Sequence, residues 1–106
     1  MDANPRLTIV FAPSTRSEFD QIWDYNEKEY GREHAADYLD FLLDGIETLA
    51  TKHAEGRSVE GFPQLQGLTI RRSARGHGHG VVYRVDQAAQ QVRILHVYHT
   101  SRLQIR

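Results

Sequence analysis

The chain has 106 residues, with 13 lysine and arginine residues against 14 aspartate and glutamate residues, and no cysteine. This length predicts a single domain, residues 1–106, with a core that needs no covalent or metal staple. Because cysteine is absent, disulfide scaffolds, cysteine-ligated zinc sites and thiol nucleophiles are excluded. No apolar run approaches the ~18 residues that a membrane span needs, and the N-terminus lacks the pattern of a signal peptide. We therefore expect a cytoplasmic protein with no membrane partner.

The net charge of −1 hides an asymmetry between the two halves of the chain. Residues 1–56 contain five basic and twelve acidic residues, whereas residues 57–106 contain eight arginines and two acidic residues. Four of the six histidines also lie in the second half. An anionic ligand is therefore expected to bind there.

The first elements are a strand and a helix. Residues 7–11 form a short apolar and β-branched run that a proline follows, which predicts a strand. Thr15 and Glu18 have the spacing of a capping box, and apolar residues then recur at helical intervals. Gly31 can supply a positive φ at the C-terminal cap. The pattern predicts a first helix over about 15–30.

A second helix is predicted over residues 32 to about 53. Acidic side chains recur along one side from Glu33 to Glu47, and we interpret them as a solvated face. Because Gly31 leaves almost no linker, the two helices should form a hairpin, in whose packing Tyr38 is expected. Gly45 costs about 1 kcal/mol of helix stability, which suggests close packing against the neighbouring helix. The apolar stripe consists of Ala36, Leu39, Leu42, Leu43, Ile46, Leu49 and Ala50.

The C-terminal half changes to the period of strands. Residues 54–67 contain three glycines and a proline, which predicts a loop. Leu68–Arg72, Val81–Val85 and Val92–His99 then read as three antiparallel strands. The order β-α-α-β-β-β predicts an α+β fold in which a helical hairpin packs on a small, mainly antiparallel sheet.

This order, together with the residues of several segments, resembles the RelE/ParE superfamily of type II toxin-antitoxin systems, and specifically its ParE-like branch. The resemblance implies a small toxin that an antitoxin encoded beside it holds inactive. In the ParE branch the target is DNA gyrase, and in the RelE branch the activity is ribosome-dependent mRNA cleavage. The matching residues are Phe11-Ala12-Pro13, Ile22-Trp23, Ala36, Tyr38-Leu39, Ile46, Leu49-Ala50, Gly67-Leu68, Val82 to Asp86, Ile94 to His99 and Arg102.

The first interpretation is a ParE-like toxin that inhibits gyrase by binding, without covalent chemistry or a cofactor. The basic C-terminal segment is the expected contact, with Arg93, His99, Arg102 and Arg106 as target-binding residues. The antitoxin is expected to place an amphipathic helix or an added strand on the hairpin or the sheet edge. A homodimer or a toxin-antitoxin hetero-oligomer is compatible with this interpretation.

The alternative is a RelE-like mRNA endonuclease that acts on the ribosome. Arg72, Arg84, His99 and Arg102 would then stabilise the phosphorane charge and carry protons. RelE-like nucleases typically carry lysines on the strand after the long loop and an aromatic residue in a C-terminal helix, and this chain has neither. A third possibility is a non-toxic module that only binds antitoxin.

The histidines of the second half have competing interpretations. We interpret His96 as structural, while His99 near the end of the sheet fits a structural and a functional role equally well. His77 and His79, in the segment Gly76-His77-Gly78-His79-Gly80, are expected to be solvated loop residues. Two imidazoles fall short of the three or four ligands of a metal site, so no metal is expected.

Overall fold

A computed structural model of the protein describes residues 6–72 and 78–100. The described elements are β1 (Thr8–Phe11), α1 (Thr15–Tyr30), α2 (Arg32–Glu47), α3 (Leu49–Lys52), β2 (Arg57–Val59), β3 (Phe62–Ile70), β4 (His79–Asp86) and β5 (Gln91–His99), with a 3₁₀ turn at His53–Glu55. The predicted α+β class is confirmed, and so are the helical hairpin and the bounds of the first helix.

The strands form one five-stranded sheet in the order β1-β5-β4-β3-β2. The three pairs between β2 and β5 are antiparallel, whereas β1 pairs in parallel with β5. A parallel pair requires a long crossover, and the segment from α1 to β4 supplies it. The first and last strands of the sequence are therefore neighbours at one side of the sheet.

The core lies between the helices and one face of the sheet, which we call the inner face. Successive side chains of a strand point to opposite faces, so alternate residues of β4 and β5 enter this core. The opposite face of the sheet, which we call the outer face, carries the remaining residues of these strands. The largest fully buried side chains are Tyr83, Leu42, Ile46, Leu49, Ile94, Val81, Val92 and Thr15.

The prediction of a loop over residues 54–67 is wrong, because β2 and most of β3 lie there. Gly61 supplies the turn between these strands with a φ of +85°. The register shifts from the pair Ser58–Gln66 to the pair Val59–Phe62, so β3 has an irregular stretch that contains Pro63. Proline is tolerated at such irregularities because no ladder hydrogen bond is required of it.

The second helix is shorter than predicted, because α2 ends at Glu47 and α3 is a separate short helix. The Thr48 hydroxyl donates to the Gly45 carbonyl at 2.6 Å, and this local bond competes with regular helical pairing. Gly45 does permit a close approach, although the neighbour is β3 and not the adjacent helix. A Cβ at Gly45 would lie 2.9 Å from Cδ1 of Ile70.

Candidate functional site

Two arginines face each other on the outer face of the sheet. Arg84 of β4 and Arg93 of β5 are directly paired in register, and both side chains are half-buried. Their chain neighbours Tyr83, Val92 and Ile94 are fully buried in the core, so the arginines point away from the helices. Two of the residues predicted for target binding or catalysis therefore share this face.

A cleft of about 470 Å³ opens on the other half of the outer face. Arg57 and Arg71 line it together with Thr69 and the ring of Tyr98. The Tyr98 ring lies directly over Gly80, where it leaves no room for a Cβ atom. The outer face therefore carries arginines at both ends.

A polar cluster joins α2 to the opposite, inner side of the sheet. The Tyr38 hydroxyl lies 2.7 Å from Nδ1 of His79, and the His79 and His99 rings meet edge to face with centroids 5.2 Å apart. His79 is only 6% exposed, so the prediction of a solvated loop histidine is wrong: the residue begins β4. Burial raises the pKa of Tyr38, and the nearby positive charge of Arg72 opposes part of that shift.

Arg72 belongs to this inner cluster. Its guanidinium lies 5.6 Å from the ring centroid of Tyr38 and 5.0 Å from that of Phe41, and it donates to the Asp37 carbonyl at 3.2 Å. Since Ile70 is buried on the inner face, strand alternation assigns Arg71 to the outer side. Arg72 was among the predicted site residues and Arg71 was not, although this alternation is visible in the sequence.

The structure separates Arg84 from the other described residues of the predicted nuclease set. Arg72 and His99 lie at the inner side of one end of the sheet, whereas Arg84 lies on the outer face. Arg84 follows His79 by five positions in β4, which corresponds to about 16 Å along an extended strand. Arg102 and Arg106 lie outside the described residues, as does His77.

His96 is exposed and contacts the first turn of α1, and its interpretation as a structural histidine stays a prediction. Its Nδ1 lies 3.2 Å from a carboxylate oxygen of Glu18, whose other oxygen accepts the Val97 amide at 2.8 Å. The predicted capping box of Thr15 and Glu18 is wrong, because Ser14 occupies the N-cap position of α1 and no side chain caps this helix. Glu18 instead bonds to β5 beyond the last residue that pairs with β1.

An apolar groove of about 570 Å³ runs between the start of α1 and the middle of α2. Phe11 and Leu43, which line it, are 39% and 40% exposed. Leu43 was expected in the apolar stripe of the hairpin, but its side chain borders this groove. The remaining lining residues are Ala12, Pro13, Thr15, Arg16, Phe19 and Leu39.

Residues 6–72 and 78–100 contain neither a metal-ligand cluster nor a membrane-spanning helix. No group of three or more histidine, cysteine, aspartate or glutamate side chains in these ranges could hold a metal ion. None of the helices described there is both long enough and apolar enough to pass through a membrane.

Comparison with known proteins identifies the family. The model of a family described as "ParE toxin of type II toxin-antitoxin system, parDE" matches residues 9–104. The chain belongs to the ParE toxin family. Toxin ParE1 of Caulobacter vibrioides is 36% identical over 81 residues, which are 76% of this chain and 79% of that protein.

Two solved structures share the fold of this ParE family member. The chromosomal ParDE toxin-antitoxin system from P. aeruginosa matches with a TM-score of 0.73 and 17% identity, over 89% of this chain and 96% of the other. A mutant RelE toxin of E. coli in the free state matches with a TM-score of 0.50 and 16% identity, over 88% and 82%. At these identities the likeness concerns the fold alone.

Proposed function

We propose that this ParE-type toxin inhibits DNA gyrase in the cytoplasm by binding to it, and that a cognate antitoxin neutralises it. The observation that carries the choice of binding over cleavage is the separation of the ionisable groups. Arg84 and Arg93 lie on the outer face, while His79 and His99 lie on the inner side of the sheet. The resemblance to the ParE branch supports gyrase as the proposed target.

RNA cleavage by a 2′-hydroxyl requires a base, an acid and a cation around one phosphate. Arg84 and His99 face opposite sides of the sheet, so they cannot meet on the same phosphate. His79 is buried, and its Nδ1 is bonded to Tyr38. The inner cluster therefore serves better as a joint between α2 and the sheet than as an acid-base pair.

The apolar groove is the proposed docking site of the antitoxin. An amphipathic helix places its apolar face in such a groove through residues spaced three to four apart. The acidic side of α2 runs beside the groove with Asp40, Asp44 and Glu47, all exposed. The antitoxin helix should therefore carry lysine or arginine residues along the edge that lies over α2.

A supercoiling assay tests both parts of the proposal. Purified toxin should inhibit the supercoiling of relaxed plasmid by gyrase, and prior mixing with the neighbour-encoded antitoxin should restore it. Leu43→Asp should abolish the restoration while inhibition persists, because a carboxylate in the apolar groove opposes helix docking. Tyr25→Asp is the matched control, since Tyr25 is exposed on the same hairpin and does not line the groove. Supercoiling that proceeds unhindered at saturating toxin would refute gyrase inhibition.

One observation favours mRNA cleavage as a second candidate. The rings of His79 and His99 are adjacent, and Arg72 lies over the ring of Tyr38, which bonds His79. In a translating extract, a nuclease would cut ribosome-bound mRNA, and His99→Ala would stop the cutting. Our proposal predicts that the mRNA stays intact with the wild-type toxin and with the His99→Ala variant alike. If the toxin causes no growth arrest, inhibits no gyrase and cleaves no mRNA, the third alternative of a non-toxic antitoxin-binding module is correct.

A further inference from the structure

The pair of arginines on the outer face lacks a counterion in the described structure. We propose that Arg84 and Arg93 together bind a carboxylate side chain of the target protein, so that the toxin contacts the protein surface of its target and not the DNA. This inference rests on the proposed function and specifies the chemistry of its contact.

The register places the two arginines as direct cross-strand neighbours. In an antiparallel pair such residues have Cβ atoms about 4.5–5.5 Å apart, and like charges at this position destabilise the sheet. Two valines lie next to this pair on the outer face. Val10 of β1 is the register partner of Arg93 on its other side, and Val82 lies two residues before Arg84 in β4. Two guanidinium groups therefore lie over a partly apolar floor.

No carboxylate in residues 6–72 and 78–100 forms an ion pair with either guanidinium. The ion pairs found there are Arg6 with Glu47 and His96 with Glu18. Asp86, the acidic residue of β4 on the same face, accepts the Ala89 amide in the following turn. In the described part of the chain, the Arg93 side chain donates to the neutral side chain of Gln91, at 3.5 Å. Within the described residues, the two guanidinium groups therefore have no ion-pair partner.

A protein carboxylate fits this pair better than a nucleic acid does. The planar guanidinium fork binds a carboxylate through two parallel hydrogen bonds, and a half-buried setting strengthens them. Tight DNA binders neutralise about 6–10 phosphates. Among residues 6–72 and 78–100, four arginines lie on the outer face, in two separate groups. The net charge of the molecule is −1, and its helices are acidic.

The test uses Arg84→Gln and Arg93→Gln with the corresponding lysine variants. Each glutamine variant should weaken inhibition of gyrase about tenfold or more, because the partner carboxylate loses its charged donor. The lysine variants should be weakened less. Binding to the antitoxin should be unchanged, since the antitoxin docks on the helix side. The thermal midpoint of the free toxin should rise in the glutamine variants, whereas removal of a purely structural arginine would lower it.

Other results would show which part of the proposal is wrong. Full inhibition by both glutamine variants would refute the carboxylate site and leave gyrase inhibition standing, whereas an inactive wild-type toxin would refute gyrase inhibition itself. Wild-type toxin should not bind a short labelled DNA duplex in the absence of gyrase. Binding that requires Arg84 and weakens steeply with salt would show phosphate as the ligand and overturn the inference. Loss of antitoxin binding with inhibition intact would assign the pair to the antitoxin and overturn it too.

Discussion

Substitution of Tyr38 by phenylalanine tests whether the inner cluster is a structural joint. The change removes only the hydroxyl that lies 2.7 Å from Nδ1 of His79. The ring keeps its contacts with Phe41 and with the guanidinium of Arg72. Because His79 is 6% exposed, water cannot readily replace the lost hydroxyl at Nδ1.

The expected cost follows from this burial. A buried polar atom that loses its hydrogen-bond partner costs about 1–3 kcal/mol of unfolding free energy. For a domain of this size, 1 kcal/mol lowers the thermal midpoint by roughly 4–8 °C. Thermal and urea unfolding followed by circular dichroism at neutral pH measure the loss. Tyr25→Phe is the matched control, because Tyr25 is exposed and its substitution should change stability little.

The Tyr38→Phe variant should also differ from the wild type in how its unfolding free energy depends on pH in the alkaline range. Burial raises the pKa of Tyr38 in the folded state, so above about pH 10 the unfolded chain releases its tyrosine proton first. The unfolding free energy of the wild type should therefore fall as the pH rises above 10. The Tyr38→Phe variant should lose less of it. Part of the fall should remain, because burial also raises the pKa of Tyr83.

Activity separates a joint from a catalytic cluster. At a temperature where the Tyr38→Phe variant is folded, it should still arrest growth. Wild-type stability in this variant would refute the hydrogen-bond argument. Loss of growth arrest with stability unchanged would show that the hydroxyl takes part in chemistry, and would contradict our assignment of His79 and His99.

Two further substitutions test how the helices are attached to the sheet. Gly45→Ala gains about 1 kcal/mol of helix propensity but forces the new Cβ against Ile70, which costs about 1–3 kcal/mol. Chemical denaturation should therefore show a net loss of unfolding free energy. Adding Ile70→Val should partly relieve that loss. A Gly45→Ala variant that is more stable than the wild type, without any change at Ile70, would contradict this packing. Glu18→Ala should cost about 1–2 kcal/mol in the same assay, because the Val97 amide at the open edge of β5 loses its acceptor. Glu18→Gln should retain part of this stability through its amide oxygen, and equal losses in the two variants would contradict the hydrogen bond.

The elements with a clear period were predictable from the sequence. The first helix was predicted over its observed residues, because the apolar spacing indicates its course and Gly31 marks its C-terminal end. The β2–β3 hairpin was missed because Gly61 and Pro63 are loop signals as well as components of an irregular hairpin. Its pairing depends on contact with β4, which no local pattern reveals.

The candidate site was only partly predictable, since it depends on long-range pairing. Arginine enrichment in the second half predicted a basic surface, yet only strand register shows that Arg84 and Arg93 are opposite each other. His79 looked like a loop residue because glycines flank it. Its burial depends on Tyr38, which is 41 residues away. Glu18 fits a helix cap locally, and its bond to β5 exists only in the folded structure.

Plasmid topology in living cells is the most direct test of inhibition by binding. Toxin expression in the absence of antitoxin should leave a reporter plasmid with fewer negative supercoils within one division time, while the mRNA in the same cells stays intact. Co-expressed antitoxin should restore the supercoiling. A plasmid of unchanged topology, recovered together with mRNA that is cut within its coding sequence, would contradict the account.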